Sequence, residues 1–165
     1  MVPSSAIAPI HGALLMVVNP RNKTEIFLAK KPLDDDPAFF GWPFLGQTQP
    51  KIAGNPGQPQ PDPPPTAEVF VYDVTGAVAR HVEDESLKLW IYTGGRANQD
   101  FRMTLIGGLQ KLVPDGSILI MTREPITGFD YRIELYPPGH PSHSALLSEC
   151  DRELPGGRRY GWRDT

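Results

Sequence analysis

Apolar and polar positions change over along this chain in runs of strand length, and no run is long enough for an extended amphipathic helix. ALLMVVN (13–19) and TEIFLAK (24–30) read as strands; PRNK between them has the residues of a tight turn, so a first hairpin is expected. AEVFVYDV (67–74), SLKLWIYT (86–93) and FDYRIELY (129–136) alternate with a period of two, each predicting a half-buried strand. In SLKLWIYT, Leu87, Leu89 and Ile91 oppose Lys88, Trp90 and Tyr92. SILIMTR (117–123) is apolar without a break, which predicts a strand buried on both faces. VTGAVARHVEDES reads as a turn and a short strand, and RRYGW (158–162) as a last strand. LIGGLQKLV (105–113) suits a short helix, weakened by Gly107 and Gly108. PPGHPSHSALLSECD suits a helix starting near Pro141 or Ser142. About seven or eight strands with one or two short helices point to a mainly β barrel or sandwich. No internal repeat stands out.

Two stretches break the pattern. KKPLDDDPAFFGWPFLG (30–46) passes from charge to an aromatic cluster of Phe39, Phe40, Trp42 and Phe44, expected to plug the end of a barrel rather than form a binding box. Residues 50–65 hold seven prolines and no periodicity, and are expected to be a surface loop within a single domain over 1–165.

Composition narrows the class. A chain of 165 residues is one ordinary domain, and 19 prolines with 16 glycines fit short elements joined by turns. Cys150 is the single cysteine, which excludes an internal disulfide and points to a reducing cytoplasm. The first residues carry no Lys or Arg, and ALLMVV is too short for a signal core or a membrane span. Net charge is −3, with 5 Lys/Arg against 7 Asp/Glu over 1–79 and 11 against 12 over 80–165. There is no basic half. A local basic face remains open, because fields are screened within about 10 Å.

The motifs of common hydrolases and nucleases are absent: no Gly-x-Ser-x-Gly, no phosphate loop with lysine, no HExxH, no CxxC, and no E-x-K or D-x-K triplet. His140 and His143 lie near Cys150, but a helix start between the histidines argues against zinc. The run Asp34–Asp35–Asp36 could attract a hard cation, and a solvated loop accounts for it better. No cofactor or metal is expected.

GGRANQDFR (94–102) is a different matter. Arginine forks pair with guanine O6 and N7, Asn and Gln with adenine, and carboxylates accept from the cytosine amino group. All three kinds of reader follow two glycines, which allow close backbone approach. LAKKPLDDD (28–36) is built alike, a strand end followed by two cations and three carboxylates.

FRMT, DYRIEL, PGHPSHSALL and GGRRYGW, together with the Phe39–Phe40 pair, resemble the DNA-recognition domain of BfiI-type restriction endonucleases. That domain is similar in turn to the effector domain of EcoRII-type enzymes and to the plant B-three domain. The resemblance implies a seven-stranded open pseudobarrel with two short helices, gripping the major groove of double-stranded DNA through two arms. It places the N-terminal arm on Lys30, Lys31, Asp34, Asp35 and Asp36. It places the C-terminal arm on Gly95, Arg96, Asn98, Gln99, Asp100 and Arg102, and phosphate contacts on Arg158 and Arg159. It further implies a monomeric, non-catalytic effector or target-recognition module, an N-terminal piece of a type II restriction endonuclease. Magnesium is then needed only by a nuclease domain outside these residues. The target is expected to be short and G·C-rich, with Asp100 accepting from cytosine. The competing expectation is a protein-interaction barrel using the proline-rich loop and the aromatic cluster; a small-ligand barrel is a third.

Overall fold

The computed structural model describes residues 9–21, 23–41, 51–52, 55–59, 64–92, 100–123 and 128–164, with backbone alone at 51–52, 55–59, 91, 92 and 100. Among the described residues the strands are β1 (His11–Val18), β2 (Ile26–Phe27), β3 (Lys51–Ile52), β4 (Asn55–Pro59), β5 (Ala67–Tyr72), β6 (Val78–Asp84), β7 (Lys88–Tyr92), β8 (Asp100–Thr104), β9 (Ser117–Arg123), β10 (Tyr131–Tyr136), β11 (Arg152–Glu153) and β12 (Arg159–Asp164), of which β3, β4, β8 and β11 are not among the expected strands. Two short α-helices are present among the described residues, α1 (Lys30–Asp35) and α2 (His143–Glu149). Among the described residues no helix is long and apolar enough to cross a membrane.

The protein is mainly β. A seven-stranded mixed sheet runs β11-β12-β1-β9-β10-β5-β6 and stays open, with β11 and β6 at its edges. Its neighbours are antiparallel except β10 and β5, which are parallel. A smaller sheet, β2-β8-β7, packs against its inner face. Leu14, Met16, Leu119, Met121, Ile133 and Val69 of the large sheet meet Ile26, Leu28, Leu89, Phe101 and Met103 of the small one. On the outer face, α2 brings Leu146 and Cys150 onto Ala13, Leu15, Ile118 and Ile120. β9 therefore has apolar neighbours on both sides, which is why its sequence has no polar alternation.

The expected first hairpin does not form. β1 is taken on one side by β9 and on the other by β12, while β2 pairs with β8. The turn residues between them serve another turn: Asn19 Oδ1 accepts from Gly116 N and Asp115 Oδ1 from Arg21 N. The proline-rich stretch also contains more than loop, since β3 and β4 pair antiparallel within it.

Residues 30–35, expected as a polar arm leaving a strand end, are α1. Lys30 and Lys31 stay exposed while Pro32 and Leu33 are buried. Proline is tolerated because it sits in the first turn, where its missing N–H has no intrahelical partner. Phe39 and Phe40 follow in a 3-10 turn and are fully buried, edge to face at 5.0 Å. They are core residues. Phe40 meets Phe101 at 4.9 Å, and Phe39 meets Trp162 at 5.2 Å. Trp42 and Phe44 lie outside the described residues. The 105–113 stretch forms a 3-10 helix, Ile106–Leu112, interrupted by Gly107 and Gly108 in left-handed conformation. α2 starts one residue after Ser142.

Ala29 joins β2 to α1 at φ 64°, ψ 158°, a conformation that essentially only glycine adopts without strain. Ala29→Gly should raise stability by about 1 kcal/mol, the relief of strain exceeding the added flexibility of the unfolded chain. Urea denaturation measures this; a destabilised variant would refute the strain.

Burial also sets the alkaline limit. It is the main cause raising the pKa of Tyr72, Tyr131, Tyr136 and Tyr160 above the ordinary 10.0, and it pushes the Cys150 thiol from 9.0 up to about 11. Each group binds its proton more tightly when folded. Its contribution is complete below its unfolded pKa and is lost as pH rises through the folded one. Melting temperature should be level up to about pH 9 and fall steadily beyond it; a flat profile to pH 11 would contradict the burial of these groups.

Candidate nucleic-acid interface

The small sheet positions what the sequence singled out. Ile26 lies opposite Met103 and Phe27 opposite Arg102, and Leu28 N donates to Phe101 O at 2.8 Å. Continued along the antiparallel pair, this register carries the chain leaving β2 toward Asp100, where β8 begins. α1 packs against β8 there. β7 and β8 pair with Tyr92 opposite Asp100, so residues 93–99 connect them at that same end. Lys30 and Lys31 thus stand on a helix rooted beside the strand ends that carry 93–99. Gly95, Arg96, Asn98 and Gln99 lie outside the described residues, as does the side chain of Asp100.

Arg102 is in the sheet, not on its tip. Its guanidinium is 2.8 Å from Glu25 Oε1, lies 4.5 Å from the Phe27 ring and 5.5 Å from the Trp90 ring, and is only 11% exposed. Such a cation, paired and stacked, organises the sheet surface. Lys23 adds a second cation at 5.7 Å from Phe27. From just before β12, Arg158 donates to Phe27 O on the open edge of β2. Burial lowers the pKa of that guanidinium. Arg159 does not share this position. Its Nε donates to Cys150 O at 2.7 Å and its Nη1 is 3.7 Å from the exposed Glu153.

The three aspartates divide. Asp34 is exposed, 3.7 Å from Lys30 in an i,i+4 pair worth a few tenths of a kcal/mol. Asp35 Oδ2 accepts from Tyr160 Oη at 2.7 Å, Trp162 Nε1 at 3.1 Å and Arg152 at 2.9 Å, which fastens α1 to β12. Burial first, and then this hydrogen bond to Asp35, raise the Tyr160 pKa. Asp36 is fully buried and accepts from Ile10 N and His11 N, both at 2.9 Å, and from His11 Nδ1 at 3.1 Å. Its carboxylate is turned into the fold, away from any surface a groove could meet. The expectation of a solvated loop at 34–36 is corrected on the same grounds.

Glu25, Phe27, Lys23 and Arg152 were not singled out in the sequence. The alternation of Glu25 and Phe27 about Ile26 is the one signal that could have placed two of them on an outer face. His140, His143 and Cys150 do not converge: His143 Nε2 is 2.8 Å from Gly116 O, His140 Nδ1 accepts from Ser142 N, and the Cys150 thiol points to Leu146 O. Among the described residues no group of three metal-ligating side chains is present.

No protein-family model matches the chain, and no curated protein matches it.

Proposed function

We propose that this chain is a sequence-specific double-stranded DNA recognition module of the B-three-like pseudobarrel kind, the effector or target-recognition domain of a type II restriction endonuclease. The observation that supports it most is the common root of the two polar segments. α1, with Lys30 and Lys31, and the 93–99 connection both spring from the Asp100 end of the small sheet. Two arms rooted together can enter one major groove, with the arginine, amide and carboxylate groups of the second reading base edges. Asp35 and Asp36 hold the first arm on the sheets; Lys30, Lys31 and Asp34 remain its candidate contacts. The chain binds without cutting, and any magnesium-dependent cleavage belongs to a separate nuclease domain. The protein-interaction alternative loses Phe39 and Phe40, which are core residues.

Selection of bound duplexes from a random library, with affinity measured from 50 to 300 mM salt, tests this reading. Enrichment of one short G·C-rich sequence and a steep fall with salt are expected, because phosphate contacts release counterions. A salt-independent interaction, or no enriched sequence, would sink it.

Arg158 and Arg159 are tested in a further measurement. Arg159→Ala should lower the salt slope by about 1 and cost about 1 kcal/mol of stability, because the carbonyl of the buried Cys150 loses its Nε donor while the Glu153 partner is exposed. Arg158→Ala should cost stability as well, about 1 kcal/mol, since Phe27 O loses a charged donor. Loss of affinity confined to the selected sequence would show that Arg159 touches a base.

A further inference from the structure

A cavity of about 590 Å³ lies where β1 begins and β9 and β12 end. Its walls include His11, Ala13, Arg123, Phe129, Asp130 and Arg163, and none of the arm residues. The register of β1 against β12 shifts between His11 and Ala13. Such a bulge re-aims the side chain beside it, and here the His11 ring lies flat on Trp162, centroids 4.3 Å apart and planes at 17°. Its Nδ1 meets the fully buried Asp36 carboxylate at 3.1 Å. A carboxylate only accepts, so Nδ1 carries the proton. In the neutral ring Nε2 is then a lone-pair acceptor, and Asp36 lies outside the cavity wall, on the Nδ1 side of the ring. His11 is thus clamped on its face and on one edge, with Nε2 left for a ligand.

The charges around it nearly cancel. Arg163 is held bidentately by Glu149 at 2.8 Å on both arms. Arg123 spends one N–H on Phe39 O at 3.1 Å, also hydrogen-bonds Tyr131 and lies 5.8 Å from its ring, and has its remaining N–H groups for a ligand. β9 pairs Arg123 with Tyr131, next to Asp130. Asp130 uses Oδ2 on Thr66, leaving Oδ1 without a partner among the described residues. An anion would meet Asp130, and a cation would meet Arg123. What suits both is an uncharged planar ring with an acceptor edge and a donor edge, bordered by the Phe129 ring and, on the sugar side, by the His11 acceptor.

We propose that this cavity binds a guanine nucleoside. O6 and N7 face the Arg123 fork, N1–H and the 2-amino group face Asp130, and a sugar hydroxyl donates to His11 Nε2. Adenine has no such pairing of an acceptor edge with two N–H donors, and cytosine lacks the second ring. The proposal does not rest on the DNA reading, since the cavity and the arms share no residue.

Calorimetric titration of the full chain with free guanosine, adenosine and cytidine tests it. Guanosine should bind one to one with a Kd below about 1 mM, and the other two at least about tenfold more weakly. Asp130→Asn and Arg123→Lys each keep size or charge while removing the matched edge, and each should weaken guanosine at least about tenfold, at an unchanged melting temperature for Asp130→Asn and a lowered one for Arg123→Lys, which loses the guanidinium contacts with Phe39 O and Tyr131. Where one variant proves unstable, the other carries the test. Equal binding of all three nucleosides, no binding of guanosine, or guanosine binding untouched by a folded variant overturns the proposal.

Discussion

Asp36→Ala should destabilise the protein by about 3 kcal/mol, enough to consume a large part of the stability of a domain this size. Three donors converge on one oxygen: Ile10 N, His11 N and His11 Nδ1. Alanine leaves all three without an acceptor, and each buried unpaired donor costs about 1–3 kcal/mol. The loss stays below the sum for two reasons. Ile10 is exposed and His11 only partly buried, so water can reach some of these groups. The other oxygen, Oδ1, is buried with no partner, and its removal gives a little back. Asp36→Asn keeps an acceptor in place without the charge and should recover about half of the loss, because hydrogen bonds to charged groups are about twice as strong. Near-UV circular dichroism should change with the alanine variant as His11 leaves the Trp162 ring. Denaturation midpoints decide the matter: an alanine variant within about 0.5 kcal/mol of the parent would mean that these contacts contribute nothing.

The same residue illustrates what can be read from sequence and what cannot. Asp34, Asp35 and Asp36 are identical letters in a row, yet one faces solvent, one fastens α1 to β12 and one is buried under β1. The partners of Asp35 and Asp36 lie 25 to more than 100 residues away, so nothing local separates these two from Asp34. Helix α1 was missed for a related reason: it buries only Pro32 and Leu33, too few apolar positions to show a period. The strands were legible because burial leaves a local trace. β9, sandwiched between the small sheet and α2, is apolar throughout, and β10 and β5 alternate as one face meets the core. Partner choice leaves no such trace. The turn-like PRNK suggested a hairpin, but β1 gains more by lying between β9 and β12 along most of its length than by pairing with the two residues of β2. Of the candidate interface, the exposure of Lys30 and Lys31 was legible from their polar setting. The division of labour between Arg158, which reaches Phe27 O, and Arg159, which reaches Cys150 O, was not.

Gly161→Ala should be as damaging as the loss of Asp36, for a steric reason. Gly161 sits in β12 opposite Leu15, on the sheet face that α2 covers. A Cβ there would stand 2.0 Å from Glu149 O and 3.0 Å from its carbonyl carbon. Both belong to backbone, so no side-chain rotation relieves the clash. Either α2 lifts from the sheet or β12 bends away from it. Lifting α2 exposes Leu146, Cys150 and the strand residues beneath them, and it strains the paired contacts of Arg163 with Glu149 and of Arg159 with Cys150 O. Overpacking of this kind costs about 1–3 kcal/mol and occasionally more; with backbone on both sides the upper end is expected, about 3 kcal/mol. The two outcomes differ in what else they move. If α2 lifts, Cys150, whose thiol is held up to about 11 by burial, becomes reactive toward a thiol reagent at neutral pH while β12 stays protected from hydrogen exchange. If β12 bends, exchange rises along 159–164 and the thiol stays silent. A stable variant with neither change would show that α2 does not lie as close to β12 as the structure places it.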